Sequence, residues 1–296
     1  MKKITLILLL AITKISFAQN TDRNNSIQDT TLVYNSPMYT KDPVRSKWRP
    51  VIKRTGEFYQ VSFYDRKDIL QEVISFEDRD LVVRKGPYSK LAKGKLKEKG
   101  NYDKGHKHGE WITYTNDGEE QKKIETYTYG KLDGKFIEYW LGNKEEGSYV
   151  NGKKSGIWKF TYKEGKIAGE ESYDEIGKKI SGKYYDKNGV EVKYEDLFSP
   201  PTYKGGLKDF YRYLSSEIKY PSQSAKQGIQ GTVILSFSVK KNGDVEDVNI
   251  ERSPNNELAI EAMRVLEMSP DWMPGKMFGE VVNVRYNIPI KFSLNR

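Results

Sequence analysis

Two histidines and three acidic doublets are the residues of this 296-residue chain whose types and spacing could do chemistry. His106 and His108 alternate in Gly105-His106-Lys107-His108-Gly109, so on an extended segment both imidazoles face the same side and could share a metal ion. No third ligand follows at a defined spacing. A solvated loop accounts for the pair, and no metal site is assigned. Glu119-Glu120, Glu145-Glu146 and Glu170-Glu171 could act as general acid and base only if one of each pair were buried and shifted, whereas hairpin surfaces are expected to leave both wet. The chain has no cysteine and no G-x-S-x-G elbow, so neither common nucleophile arrangement is visible. An enzyme is not expected, and no cofactor is implied.

What the sequence does offer is recognition through the backbone. From Val282 to Leu294, seven apolar residues (Val282, Val284, Tyr286, Ile288, Ile290, Phe292 and Leu294) alternate with Asn283, Arg285, Asn287, Pro289, Lys291 and Ser293. Period two over this length predicts a half-buried β-strand. Pro289 lies on the polar side and cannot donate a ladder hydrogen bond, so the strand is expected at a sheet edge. Such an edge can accept a partner strand, with backbone bonds giving affinity and alternate side chains giving selectivity. A capped edge in an ordinary small domain is the other reading of the same pattern.

The elements that position this strand begin with a leader. Lys2 and Lys3 precede an apolar run from Ile4 to Ile12 and the small-residue site Ser16-Phe17-Ala18, so residues 1–18 are expected to be a signal peptide cleaved before Gln19. From Ile4 to Ala18 a helix would reach about 22 Å against a ~30 Å hydrocarbon core, and nothing later is apolar enough to span. The mature chain is therefore expected to be exported, periplasmic and without a membrane span. Residues 19–47 look like a polar tether, and 48–93 like opening strands or degenerate repeats. The formal charge of +9 is spread over interspersed acids and bases, which does not suit a nucleic-acid partner.

A repeat occupies residues 94–195. Tyr102-x2-Gly105-x3-Gly109-x-Trp111 recurs as Tyr127-x2-Gly130-x3-Gly134-x-Phe136, as Tyr149-x2-Gly152-x3-Gly156-x-Trp158 and, with two insertions, as Tyr173-x3-Gly177-x4-Gly182-x-Tyr184. Asp117-Gly118, Asn151-Gly152 and Asn188-Gly189 are turn dipeptides. Single hairpins are marginal in water, so neighbouring units must cover each other's aromatic faces. The units resemble bacterial MORN repeats, which implies an all-β array of stacked hairpins and leaves function open.

From Leu207 the spacing turns helical. Leu207, Phe210, Tyr211, Leu214 and Ile218 fall on one face, and Tyr220-Pro221 ends that helix. Val233, Leu235, Phe237 and Val239 mark a strand. Asn242-Gly243 turns it into a second one carrying Val248 and Ile250, and Asn255 or Asn256 can cap a helix burying Leu258, Ala262, Val265 and Leu266. With the terminal strand, residues 200–296 make a small α+β domain of two helices on a three-stranded antiparallel sheet.

This domain resembles the C-terminal domain of the TonB family of energy transducers. The resemblance rests on Tyr203-Lys204-Gly205-Gly206, Tyr220-Pro221, Gly228-Ile229-Gln230-Gly231-Thr232-Val233, Asn242-Gly243, Glu261-Ala262, Trp272-Met273-Pro274-Gly275 and the Val281–Phe292 strand. It implies a partner, the periplasmic segment of an outer-membrane TonB-dependent receptor, added as a strand. It places the contact at Val281, Val282, Asn283, Val284, Arg285 and Tyr286, with Tyr220 and Pro221 beside it. A full transducer of that family also has an uncleaved membrane helix and a proline-rich spacer. Here 11 prolines are scattered and the repeat array stands in the spacer's place. The expectation is an exported, non-enzymatic binding protein supporting transport across the outer membrane. A structural envelope protein holding peptidoglycan or another scaffold component is the alternative.

Overall fold

The computed structural model describes residues 30–270 and 272–294; the expected signal peptide and the first part of the expected tether lie outside them. The described residues divide into two compact units, one running to residue 95 and including 101–106, the other made of 96–100 and the residues from 107 onward. In the first, α1 (Thr31–Asn35), α2 (Pro37–Thr40) and a 3-10 turn (Arg45–Lys47) precede β1 (Arg49–Thr55), β2 (Phe58–Tyr64), β3 (Leu70–Phe76) and β4 (Arg84–Ala92). These four strands are hydrogen-bonded in chain order, each antiparallel to the next. Residues 30–47 thus differ from a featureless tether. Val33 is fully buried, Tyr39 stacks on Phe63, and Arg45 forks onto the buried Glu72 at 2.6 and 3.0 Å.

β5 (Lys95–Asp103) contributes residues to both units. The second unit continues with β6 (His106–Tyr114), β7 (Gln121–Thr128), β8 (Lys131–Trp140), β9 (Asn143–Val150), β10 (Lys153–Thr161), β11 (Ile167–Tyr173), β12 (Lys179–Tyr185) and β13 (Glu191–Val192), again antiparallel and in chain order. The first three units share one geometry. The second glycine of each unit lies opposite the tyrosine that opens the next: Gly109 opposite Tyr127, Gly134 opposite Tyr149, Gly156 opposite Tyr173. The following aromatics, Trp111, Phe136, Trp158 and Tyr184, are all buried. Phe136 and Trp158, from successive units, meet at 5.3 Å between ring centroids. These contacts are the mutual cover that isolated hairpins lack.

α3 (Tyr194–Leu197) leads into the second part of this unit: β14 (Thr202–Tyr203), α4 (Gly206–Glu217), α5 (Ser222–Lys226), β15 (Gly231–Val239), β16 (Val245–Arg252), α6 (Asn256–Glu267), β17 (Trp272–Met273), β18 (Gly275–Met277), β19 (Glu280–Val282) and β20 (Val284–Phe292). The three-stranded sheet has the order β16-β15-β20 and carries α4 and α6 on one face, the expected α+β layer, with α5 and the β18–β19 hairpin in addition. Its core joins Val233, Leu235, Phe237 and Val239 of β15 to Phe210 and Leu214 of α4 and to Leu258, Ala262, Val265 and Leu266 of α6. Asn255 caps α6 by accepting the Leu258 N–H at 3.0 Å. The buried stripe of α4 is narrower than its spacing suggested, because Leu207 and Tyr211 stay about half exposed.

Candidate functional site: the free edge of the terminal strand

β20 pairs only with β15. Its register runs unbroken from Val284 opposite Val239 to Phe292 opposite Gly231, and its other edge is unpaired among the described residues. The Lys240 N–H bonds the Asp244 carbonyl across the β15–β16 turn, which fixes the phase of β15. By alternation, Ser238 and Ser236 present their backbone groups to β16, and Val239, Phe237, Leu235 and Val233 present theirs to β20. The residues of β20 whose backbone points outward are therefore Arg285, Asn287, Pro289 and Lys291. Pro289 sits where a missing donor costs the ladder nothing. The same four side chains are exposed, while Ile288, Ile290 and Phe292 are buried in the core.

The structure divides the expected contact segment. Val281 and Val282 belong to β19, which pairs with β18, and the ladder stops before Asn283. Asn283 turns its amide oxygen to accept the Lys241 N–H at 3.0 Å. Val284, Arg285 and Tyr286 open β20. Tyr286 points inward against Phe237 and Trp272 at 5.9 and 6.2 Å between ring centroids. The Arg285 guanidinium crosses the outer face of the sheet to the Ser236 hydroxyl at 2.9 Å and to Glu251 at 3.3 Å. Tyr220 and Pro221 lie at the opposite end. The Tyr220 ring meets Phe292 at 5.8 Å and its hydroxyl donates to the Ile229 carbonyl at 2.5 Å. At ~3.3 Å per residue the two ends of β20 are roughly 27 Å apart, so the eight expected residues do not form one patch.

A cavity adjoins each end of the strand. One, of about 250 Å³, lies between Leu214 and Ile218 of the α4 segment and Ile290 and Phe292, with the half-exposed Tyr211 and the partly buried Tyr220 also lining it. The other, of about 360 Å³, is closed by the repeat array on one side and by Val282 and Val284 on the other. The array reaches it because Phe278, at the tip of the β18–β19 hairpin, is buried among Phe160, Tyr162 and Phe198 at 5.1–6.4 Å. Ser199 and Lys276 exchange backbone hydrogen bonds at 2.8 and 3.1 Å, the Gly279 N–H bonds the Leu197 carbonyl, and Lys187 pairs with Glu280 at 2.6 Å. The hairpin that takes up Val281 and Val282 is thus the joint between array and terminal domain.

The groups first considered for chemistry sit apart from this edge. His106 is exposed and the His108 ring lies against Tyr129 at 5.0 Å. Among the described residues no group of three or more acidic or histidine side chains is placed to hold a metal ion. Of the acidic doublets, Glu171 corrects the expectation of wet pairs: it is 4% exposed, facing inward beside Tyr173 and Tyr184. Burial pushes its carboxyl up, but hydrogen bonds from Lys179, Tyr173 and Tyr184 outweigh that and hold it below the usual range. Burial and this carboxylate together raise both phenols well above theirs. Sequence reasoning also missed a lysine rule. Lys107 and Lys154, each two residues after the first glycine of a unit, place their ammonium groups 3.9 and 3.8 Å above Trp111 and Trp158 and pair with Glu98 and Glu145. The repeated spacing was the available signal.

Among the described residues no helix is long and apolar enough to cross a membrane. Residues 216–294 match the family model described as Gram-negative bacterial TonB protein C-terminal. Protein TonB of two Xanthomonas campestris pv. campestris strains, B100 and ATCC 33913, is 32% identical over 81 residues, 26% of this chain. The match spans 34%, about a third, of the length of those relatives. The NMR solution structure of the Helicobacter pylori TonB C-terminal domain covers 30% of this chain and 81% of that one, at 24% identity and a TM-score of 0.25. Behind an array of antiparallel hairpins, this chain carries a TonB C-terminal domain.

Proposed function

We propose that the chain is an exported, periplasmic, non-enzymatic binding protein. It engages the periplasmic segment of an outer-membrane TonB-dependent receptor by strand addition to β20, in support of transport across the outer membrane. The observation that carries this reading is the unpaired edge of β20, whose four outward residues include the proline that the inner ladder would not tolerate. Arg285, Asn287 and Lys291 each offer a donor and an acceptor there, and Pro289 an acceptor. This shifts the contact from Val281–Tyr286 to Arg285–Lys291, because Val281 and Val282 already spend their pairing on β18.

Asn287→Pro is the test. It removes one outward N–H, and the strand already accommodates a proline two residues on; Asn287→Ala keeps the donor and serves as control. Capture of TonB-dependent receptors from solubilised outer membranes, identified by mass spectrometry, should fall about two- to tenfold for the proline variant and hold for the alanine variant, with unchanged circular dichroism. The magnitude is that of one hydrogen bond, ~0.5–1.5 kcal/mol. Equal capture by both variants would refute strand addition at this edge. Co-sedimentation with cell-wall sacculi that survives Asn287→Pro, without receptor capture, would favour the scaffold reading.

A further inference from the structure

We infer that the repeat array supplies part of the partner site: the 360 Å³ cavity at the Val284 end of β20 receives an acidic side chain flanking the paired segment of an extended peptide. This rests on the strand-addition reading and adds to it a selectivity pocket built jointly by array and terminal domain. A strand laid along the outer edge of β20 is in register with it until Val284, where the sheet ends and the cavity begins. The next residues of that strand must go there or into solvent.

The lining specifies what fits. Phe160, Tyr173 and Phe198 give it aromatic walls. The charges within are compensated with one exception. Lys154 pairs with Glu145 at 2.9 Å, and Glu171 is held by Lys179 at 2.6 Å and by two tyrosine hydroxyls. Lys276 also lines the cavity, and among the described residues its ammonium has no hydrogen-bond or ion-pair partner. Its position is fixed by the two backbone bonds to Ser199. It is also fixed by its neighbour Gly275, where a Cβ would come within 2.7 Å of Val284. A partly covered cation lining an aromatic cavity at the end of an edge strand selects a carboxylate on an otherwise β-forming segment.

The test uses the whole mature chain and four synthetic nine-residue peptides of alternating valine and threonine, carrying glutamate or glutamine at one terminus or the other, with both termini blocked. Fluorescence anisotropy should show preference for glutamate over glutamine at one terminus, on the order of fivefold, the equivalent of a partly exposed ion pair of ~1 kcal/mol. Lys276→Met should abolish that preference while leaving glutamine-peptide affinity unchanged, and Lys276→Arg should retain it. Equal affinity for glutamate and glutamine peptides at both termini, with binding still lost in Asn287→Pro, would overturn this inference and leave strand addition standing. No binding by any peptide would overturn both.

Discussion

Trp158→Ala, taken together with Gly147→Ala, isolates what holds the repeats together. Trp158 is fully buried, lies across Gly147 of the preceding strand, and donates its indole N–H to the Ser148 carbonyl at 3.2 Å. Its ring also meets Phe136 and Tyr149 at 5.3 and 5.1 Å between centroids. Deleting a buried aromatic of this size costs about 3–5 kcal/mol. The two ring contacts, worth ~0.5–1.5 kcal/mol beyond burial, put Trp158→Ala toward the upper end. Gly147 is constrained by space and not by φ. A Cβ there would come within 2.3 Å of the Trp158 ring, so Gly147→Ala should cost ~1–3 kcal/mol by overpacking. With Trp158 truncated, the added methyl enters the void and that penalty should vanish, giving a coupling of at least ~1 kcal/mol in the double-mutant cycle. Because a repeat array can open locally, the measurement is the opening free energy of β9–β11 amides by hydrogen exchange. If Gly147→Ala costs the same with and without the indole, the aromatic-over-glycine contact is not what stabilises the unit.

Gly156→Val separates the other glycine role: φ is +65° and a Cβ would meet nothing within 4 Å, so the cost is backbone strain of ~1–2 kcal/mol. Denaturant midpoints should show it smaller than the combined strain and clash of a valine at Gly134, where φ is +120° and Thr126 lies 3.0 Å away. The Glu171 network should make the array sensitive at both extremes of pH. The carboxyl is depressed in the folded chain, so its contribution is complete above the ordinary glutamate pKa of ~4.3 and is lost as pH falls below it. The Tyr173 and Tyr184 phenols are raised, so theirs is present below ~10 and is lost as pH climbs beyond it. Glu171→Gln should flatten the acid limb of β11–β12 exchange protection, and an unaltered limb would show that the network does not set it.

Much of this was legible in residue spacing. Alternation from Val282 to Leu294 marked an edge strand because period two and a proline on its polar side have few other solutions, and the strand forms over Val284–Phe292 of that run. Asn151-Gly152 announced its turn, with both residues at positive φ. The same turn at Lys104-Gly105, Tyr129-Gly130 and Leu141-Gly142 was hidden, because a lysine, tyrosine or leucine at φ near +50° is locally unfavourable and is held there by strand register on either side. The break at Asn283 was equally invisible. Val281 and Val282 continue toward β20 in a plausible apolar pattern, and only pairing with β18 and the distant Lys241 N–H ends the ladder. Glu171 belongs to the same class. An acid in a lysine-rich hairpin looks solvated until two tyrosines and a lysine from other positions close over it.

The outward edge of β20 presents three N–H groups, from Arg285, Asn287 and Lys291, and four carbonyls, the fourth from Pro289. At ~0.5–1.5 kcal/mol net for each bond formed, a fully paired partner gains on the order of 4–10 kcal/mol. Association itself costs about 4–15 kcal/mol in lost rigid-body freedom. Backbone pairing alone therefore leaves a partner bound weakly, and β-forming segments would differ little in that term. Side chains must add affinity and choice: those that alternate along the added strand, and those at its ends, where the two cavities lie. One of these is built within the terminal domain. The other lies where the β18–β19 hairpin, with Phe278 packed at its tip, meets the array. Under the strand addition proposed above, the hairpins do more than fill the place of a spacer: they complete one wall of the cavity at the Val284 end of the edge strand.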